Sequence, residues 1–283
     1  MPYAYVTVTT LTSTGALSID GTAFDARLRQ VAEAVTRQID RYANRTFQTY
    51  EATRTFPGLA TTLLMVPDLV KVTTLKEDTN YDGTFETTWE STDYILEPEN
   101  ANPTSTAENG LPYTRLRVNA ASNGTQDLFL AGAKRYQVIG TWGYWEVTRD
   151  ISVDTSGSLG STATTINVNT SGIEPGMTVL IDSEMIYVES TGAAGTALTV
   201  RRNQNGSTAG THATTKDVNY YVYPYDIREA AFIQAARLWK RKDSGFASQV
   251  GFAEIGQMSV WSGGLDPDVK QMLNPYRKMA FAI

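Results

Sequence analysis

The stretch from Ile151 to Val222 differs in composition from the residues on either side, and this difference constrains the fold more than any other feature. More than half of its residues are Thr, Ser, Gly, Val and Asn, and few are ionic. Helical and strand-like patterns precede it, and a helix with a Gly-rich tail follows it. The sequence therefore predicts an α+β host, residues 1–150 and 223–283, with an all-β barrel or sandwich inserted at residues 151–222.

The composition excludes several classes of protein. A chain of 283 residues with 41% hydrophobic residues and a net charge of −6 can bury the cores of two soluble domains. No apolar run approaches the roughly 20 residues that span a bilayer, and the N-terminus lacks the pattern of a signal peptide. We therefore expect synthesis in the cytoplasm and no membrane contact. The absence of cysteine excludes disulfides, thiolate metal sites and a cysteine nucleophile.

Three helices are predicted in the host. Apolar residues recur every three or four positions from Phe24 to Tyr42, and Thr22 with Asp25 fits a capping box at the start. A second helix is predicted from Asp226, with Glu229 in the same capping arrangement. A third begins at Asp266, and Pro275 is expected to kink or shorten it.

Short segments rich in β-branched and aromatic residues predict strands. In the host these are Tyr3–Thr9, Phe47–Phe56, Thr62–Val66, Val70–Lys76, Tyr94–Leu96, Thr114–Val118 and Arg135–Thr141. In the insert they are Thr165–Asn169, Thr178–Ile181, Met185–Glu189, Ala197–Arg201 and Val218–Tyr223.

The segment from Asp243 to Leu265 has no regular period. It is rich in glycine and carries Phe246, Phe252 and Trp261. Long loops without secondary structure inside a compact domain are uncommon, and exposed aromatic residues gain most when a partner covers them. The sequence therefore predicts an extended C-terminal arm at residues 243–265 that docks on a partner.

The search for catalytic groups is largely negative. His212 is the only histidine, and its polar surroundings predict a histidine in a turn, because no third group that would orient a Ser–His pair can be assigned. No phosphate loop, dinucleotide fingerprint or histidine metal pair is present. The spaced carboxylates Glu97 with Glu99, and Asp266 with Asp268, converge with no second catalytic group. We expect no enzymatic activity and no cofactor.

The segment from Asp78 to Glu86 partly matches a calcium-binding loop. Asp78, Asn80 and Asp82 alternate before Gly83, but the position of the closing carboxylate holds Trp89. An Asp-Gly turn between two strands explains the same residues without a metal. These three residues remain only weak metal candidates, and the hairpin is the preferred interpretation.

A basic cluster closes the second predicted helix, at Arg237, Lys240, Arg241 and Lys242, next to Trp239. Cations at this position complement the helix dipole. A contact of the same residues with a phosphate or an acidic partner is the alternative. The sequence leaves both interpretations open.

The host resembles the head-to-tail adaptor, or connector, proteins of long-tailed bacteriophages. The similar segments follow the same order along the chain and are Ala34–Phe47, Asp93–Pro98, Pro112–Leu116, Ile139–Tyr144, Gln234–Asp243, Leu265–Val269 and Leu273–Arg277. Two segments of the insert, Ile181–Tyr187 and Arg202–Thr208, resemble small β modules of other phage structural proteins.

The resemblance implies a structural role in the neck of the virion. About a dozen copies, a dodecamer in the family pattern, would form a ring that docks under the portal and meets tail or head-completion proteins. DNA would pass through the channel without sequence-specific binding, and the acidic balance of the chain suits such a channel. Phe246, Phe252, Trp261, Arg237, Trp239, Lys240, Arg241 and Lys242 would then be candidates for contacts with the portal or with neighbouring subunits.

The sequence is also compatible with two other functions. A carbohydrate- or host-surface-binding virion module would use Tyr187, Tyr220, Tyr221 and Tyr223 of the insert as stacking platforms. A metal-dependent enzyme would use Asp78, Asn80 and Asp82 as ligands.

Overall fold

A computed structural model describes residues 3–13, 17, 19, 21–106, 110–120, 126–241, 249–252, 256–259 and 264–278. The chain divides into two compact units. The first comprises Met1–Asn44, Thr148–Gln204 and Thr208–Ile283, and the second comprises Arg45–Val147 with Asn205–Ser207. The α+β class predicted from the sequence is confirmed, because helices and antiparallel sheets are both present.

These units group the chain differently from the predicted host and insert. The helices of the host and most of the insert belong to the first unit, whereas the middle of the host forms the second. Which residues pack together in the folded chain does not show whether residues 151–222 are an insertion. The boundaries of the insert therefore stay a prediction.

The second unit is a six-stranded antiparallel sheet. Its strands are β1 (Tyr50–Gly58), β2 (Leu63–Glu77), β3 (Thr87–Trp89), β4 (Tyr94–Glu97), β5 (Tyr113–Val118) and β6 (Gly132–Trp142). They are ordered β1-β6-β2-β5-β4, and β3 also pairs with β2.

One face of this sheet carries the core of the unit. Trp89 stacks on Phe129 with ring centroids 4.7 Å apart and nearly parallel planes, and Tyr136 meets both rings edge-on. The other buried members are Leu64, Val66, Leu69, Leu75, Leu116, Val118, Val138 and Trp142. The two strands predicted at Thr62–Val66 and Val70–Lys76 form the single strand β2, because the chain passes Pro67 in a register shift between Met65 and Leu69 without turning back.

The β module of the first unit is a second six-stranded sheet. It contains β7 (Val147–Arg149), β8 (Thr165–Asn167), β9 (Thr178–Ile181), β10 (Glu184–Thr191), β11 (Ala197–Arg201) and β12 (Asn219–Val222). The order is β7-β12-β9-β10-β11-β8. All five strands predicted for the insert are present.

This sheet curls around an aliphatic core. Two isolated bridges involve residues 154 and 155. Asp154 pairs with Asp217, which precedes β12, and Thr155 pairs with Val168, which follows β8. The buried core is Val153, Leu159, Ile166, Val168, Ile173, Val179, Ile181, Ile186, Val188, Leu198, Val200 and Val218. The continuous strand ladders themselves do not close into a barrel among the described residues.

The helices of the first unit are α1 (Val8–Ser13), α2 (Asp25–Ala43), α3 (Tyr225–Lys240) and α4 (Pro267–Leu273), and α4 continues into a 3₁₀ turn at Asn274–Tyr276. The third predicted helix is confirmed in detail: Asp266 caps α4 by accepting the N–H of Asp268 at 3.0 Å, and Pro267 occupies the first turn. Within the described residues, none of the helices combines the length and hydropathy that crossing a bilayer requires.

Three sequence predictions in this unit are wrong. The strand predicted at Tyr3–Thr9 is an irregular segment that leads into α1, where Thr7 Oγ1 accepts the N–H of Thr10 at 3.1 Å. The two capping boxes do not form. Phe24 and Pro224 occupy the N-cap positions of α2 and α3, and neither helix has a side-chain capping bond.

The predicted arm contains regular structure. Residues Gln249–Phe252 form β13 and residues Gly256–Ser259 form β14, which pair as an antiparallel hairpin. The prediction that residues 243–265 lack secondary structure is therefore wrong for these two segments.

Candidate interaction site

Gln234 joins three helices of the first unit. It lies on α3 and is fully buried. Its side-chain Nε2 donates to Oε1 of Gln38 on α2 at 3.4 Å, and its Oε1 accepts the backbone N–H of Asp266, the cap of α4, at 3.2 Å. One amide therefore satisfies polar groups from both neighbouring helices, which fixes their positions relative to α3.

Arg237 lies three residues after Gln234 and points to the start of α4. It forms an ion pair with Asp266, and a second guanidinium nitrogen lies 3.8 Å from Oδ2 of Asp268. The Arg237 side chain is half exposed, whereas Asp266 is buried. Both carboxylates lie in the first turn of α4, where negative charge is favourable. The pair Asp266 and Asp268, which the sequence left without a catalytic partner, thus has a structural role.

Two tyrosine hydroxyls connect the 3₁₀ turn after α4 to the other helices. Tyr42 on α2 donates to Oδ1 of Asn274 at 2.7 Å, and Tyr276 donates to Oδ2 of Asp226 on α3 at 3.3 Å. The segments that carry the helical part of the adaptor resemblance therefore contact one another at several points.

The end of α3 combines an aromatic pair with positive charge. Trp239 is buried and meets the exposed ring of Phe24 edge-on, with the centroids 5.6 Å apart. Lys240 is exposed and Arg241 is half-buried. Of the residues predicted to contact a portal or a neighbouring subunit, Arg237, Trp239, Lys240 and Arg241 therefore lie together.

For the remaining predicted contact residues, the structure describes no side chain. Lys242, Phe246 and Trp261 lie outside the described residues. Phe252 ends β13, and the description of this residue is confined to its backbone.

A cavity of about 390 Å³ lies in the first unit, lined by the N-terminal segment, β12 and α3. Its walls include Tyr5 and Tyr223, whose rings meet edge-on at 4.7 Å. Tyr187, Tyr221 and Tyr223 are buried, and Tyr220 packs on the core of the β module. Three of the four tyrosines considered as sugar-stacking platforms therefore have no exposed ring face.

Tyr187 instead ties the β module to α2. Its hydroxyl donates to Oε1 of Glu33 at 2.7 Å, and Arg29 of the same helix lies 3.3 Å from Glu189 on β10. Burial, together with the Glu33 carboxylate, raises the pKa of Tyr187. The phenol consequently stays protonated and serves as a donor.

His212 lies in a buried polar cluster of the β module. Its Nδ1 is 2.7 Å from Oδ2 of Asp182, and its Nε2 is 2.9 Å from Oε2 of Glu184. Glu184 also holds the guanidinium of Arg202 through two contacts of 2.6 Å and accepts the N–H of Gly210 at 3.1 Å. Both ring nitrogens thus contact carboxylates, so His212 links its own loop to Asp182 and Glu184. Neither ring nitrogen is left to activate a serine.

The calcium-like loop is closed by its own hydrogen bonds. The two oxygens of Asp78 accept the N–H groups of Tyr81 at 2.7 Å and Gly83 at 3.0 Å, and Oδ1 of Asp82 accepts the N–H of Thr84 at 2.7 Å. These contacts are those of a hairpin turn between β2 and β3. Carboxylate oxygens of Asp78, Asp82 and Glu86 lie within 4.8 Å of one another, and Nδ2 of Asn80 donates to Oδ2 of Asp82 at 3.2 Å.

Glu97 is engaged by two arginines of the neighbouring strand. Arg115 Nε lies 2.6 Å from one carboxylate oxygen, and Arg117 binds the other. Hydrogen bonding from Arg117 is the main influence that lowers the pKa of Glu97. The residue is thus held as an anion in an ion-pair cluster, which makes the acid–base pair considered from the sequence unsuitable for proton transfer.

Sequence reasoning missed Gln234 and the cluster around His212. A buried glutamine in a helix has no spacing that distinguishes it from an exposed one. Asp182 and Glu184 flank the turn between β9 and β10, some thirty positions before His212, so only the paired sheet brings them together. No protein-family model matches this chain, and no curated protein matches it at a significant level.

Proposed function

We propose that this chain is a structural virion protein, a head-to-tail adaptor whose copies form a ring under the portal and leave a channel for DNA. The ring would join the head to the tail or to head-completion proteins at the head-to-tail junction. The proposal rests on the adaptor-like segments, whose order along the chain is that of the family.

The observation that carries the proposal is the packing around Gln234. Three of the adaptor-like segments, in α2, α3 and α4, meet through this one amide and through the Arg237–Asp266 pair. Two of the three strand segments of the resemblance pair with each other in the second unit, where Leu96 lies opposite Leu116. In the third segment, the backbone N–H of Tyr144 donates to the carbonyl of Thr46 at 3.0 Å. Segments that resemble one family are therefore in contact rather than scattered, as expected if they act as one structural element.

The end of α3 supplies the surface for docking. Lys240 is exposed and Arg241 half-buried, beside the aromatic pair of Trp239 and Phe24. A basic and aromatic surface suits a partner with acidic and apolar groups. Repetition of a weak contact around a ring multiplies its strength, so a modest patch per copy is sufficient.

Negative-stain electron microscopy of the protein mixed with the portal of the same virus tests the proposal. We expect an added ring at one end of the portal, and a protein that stays unassociated with the portal at high concentration would overturn it. A variant lacking residues 243–265 should remain folded but fail to attach. Attachment of that variant would exclude the arm as the docking element.

The basic surface is tested by Lys240→Glu, with Lys134→Glu as the matched control. Both lysines are exposed, and both changes alter the net charge by the same amount, but Lys134 lies on β6 of the second unit. We expect fewer decorated portals for the first variant only. Equal decoration by both variants would remove the end of α3 from the interface.

A further inference from the structure

The hairpin of β13 and β14 forms a sheet of only two strands. Four register pairs join them, from Gln249 opposite Ser259 to Phe252 opposite Gly256. Within the described residues, neither strand pairs with a third one. Two-stranded hairpins are marginally stable in water, and a further strand or a packed surface is needed to hold them. The hairpin therefore requires a further strand or a surface on which to pack.

The second unit has an open sheet edge at β1. This strand pairs with β6 on one side only. On its other side the backbone N–H of Glu51 donates to the carbonyl of Asn205 at 2.7 Å. Because backbone groups of alternate residues point to the same side of a strand, Thr53 and Thr55 direct their N–H and C=O groups to this side as well.

These groups are available to another strand. In the part of the chain that the structure describes, neither Thr53 nor Thr55 makes a backbone hydrogen bond on the side away from β6. Their side chains are exposed, whereas Ala52 and Phe56 pack on the core of the unit. The edge is thus anchored from one face while its outer backbone groups remain open.

The edge has one feature by which proteins discourage pairing, the charge of Arg54, but that guanidinium lies over the ring of Trp142. From Ala52 to Phe56 it contains no lysine, proline or bulge, and Pro57 and the register shift come only after it. Threonine also favours extended backbone. The opposite edge strand, β4, has four residues and is followed at once by Pro98. The edge of β1 is therefore the better template for an added strand.

We propose that the β13–β14 hairpin of one copy adds to the β1 edge of a neighbouring copy and extends its sheet to eight strands. The inference rests on the proposed ring and names its subunit contact. One chain supplies both a strand pair that lacks a sheet and an edge that lacks a strand. Each copy then uses two different surfaces, and a contact of this kind repeats head to tail and closes into a ring.

Disulfide cross-linking tests the pairing directly, because the chain contains no cysteine. Thr53→Cys is combined with Gln249→Cys in one variant and with Gln257→Cys in another, so that either strand of the hairpin can be the adjacent one. After oxidation on portals and in concentrated solution, we expect one of the two to give a ladder of covalent oligomers beyond the dimer. Each single variant can give only monomers and dimers.

The matched control places the first cysteine on another exposed strand residue, Thr88→Cys on β3, with the same hairpin cysteines. We expect no ladder from this control. A ladder of equal strength from Thr88→Cys would show that the hairpin collides with any exposed strand, and the proposed edge contact would then be wrong.

A backbone variant distinguishes the edge contact from the adaptor function. Thr53→Pro removes an outward N–H and leaves the bonds between β1 and β6 intact, since proline is tolerated on the free side of an edge strand. We expect an unchanged melting temperature and far fewer rings. Thr55→Lys, which adds charge to the edge without altering the backbone, gives the same test if the proline variant fails to fold.

The outcomes separate the two proposals. Normal rings from Thr53→Pro or Thr55→Lys without any covalent ladder would overturn the edge contact and leave the adaptor function standing. A ladder without rings on the portal would support the edge contact and contradict the adaptor function. If no variant gives a ladder, and neither the variants nor the unmodified chain form rings on the portal, both proposals are overturned.

Discussion

The imidazole Nε2 of His212 lies 2.9 Å from Oε2 of Glu184, and both side chains are buried in the β module. Asp182 engages the other ring nitrogen, and Arg202 holds Glu184 through two further contacts. The cluster therefore joins the imidazole of His212 and the guanidinium of Arg202 to two carboxylates and fixes the polar loop around His212 to the β9–β10 turn.

Replacing Glu184 with Gln should destabilise the β module by about 3 to 5 kcal/mol, because Arg202 would keep its buried charge without a full partner. Urea unfolding followed by circular dichroism measures the loss. Arg201→Gln on the neighbouring strand is the matched control, since it removes an ion pair with Glu189 in which Arg201 is more than half exposed. An exposed pair contributes about 0 to 1 kcal/mol. Equal losses from the two variants would contradict a buried, charged cluster.

The same cluster predicts acid sensitivity. Burial alone would raise the pKa of Glu184, but hydrogen bonds from Arg202 and His212 outweigh burial and lower its pKa from 4.5 to about 2. A depressed pKa contributes stability that is fully present above pH 4.5 and is lost as the pH falls toward 2. We expect the difference in unfolding free energy between the unmodified chain and Glu184→Gln to shrink over this range. A difference that stays constant from pH 7 to pH 2.5 would refute the assignment.

The cluster also shows where prediction from this sequence fails. Nothing in the local polar run around His212 indicates its partners, because Asp182 and Glu184 come from a different strand turn. The strands themselves were predictable, since period-two patterns such as those at Ala197–Arg201 and Thr178–Ile181 depend on adjacent residues. Pairwise contacts between distant polar residues depend on sheet register, which the sequence does not display.

Gln234→Leu should loosen the three-helix contact. Leucine fills similar space but leaves the buried N–H of Asp266 without its acceptor, which costs about 1 to 3 kcal/mol. We expect a lower melting temperature together with fewer decorated portals. Gln271→Leu on the exposed face of α4 is the control, and it should alter neither measurement. Unchanged stability of Gln234→Leu would mean that the amide does not hold α4 in place.

Helix ends differ in how well the sequence predicts them. The start of α4 was predictable because Asp266 and Pro267 act locally, through a side-chain cap and a fixed backbone angle. At α2 the expected pair of Thr22 and Asp25 does not form, and Phe24 takes the cap position while its ring packs against Trp239. A contact with a distant helix therefore accompanies the loss of the local capping pattern, and the sequence around Thr22 contains no sign of it.

Calcium should leave the stability of the protein unchanged. Both oxygens of Asp78 already accept backbone N–H groups, so the hairpin closes without an ion. We expect the same melting temperature in calcium chloride and in a chelator. Asp78→Ala should lose about 1 to 3 kcal/mol for two unsatisfied donors, equally in both solutions. Thr88→Ala, an exposed change on β3, is the control. A rise in melting temperature with calcium that Asp78→Ala abolishes would establish a metal site.

Gly206→Ala should destabilise the second unit at the edge of β1. Gly206 has a φ of +84°, and an added Cβ would lie 2.0 Å from the carbonyl oxygen of Glu51. Both the backbone angle and the clash oppose alanine, so the loss should exceed about 1 kcal/mol in urea unfolding. Gly157→Ala is the matched control, because nothing lies within 4 Å of its added Cβ. The segment Asn205–Ser207 covers the first residues of β1, so Gly206→Ala should also lengthen the open edge. Loss of stability with unchanged exchange of the Glu51 amide hydrogen would show that this segment does not cover the edge.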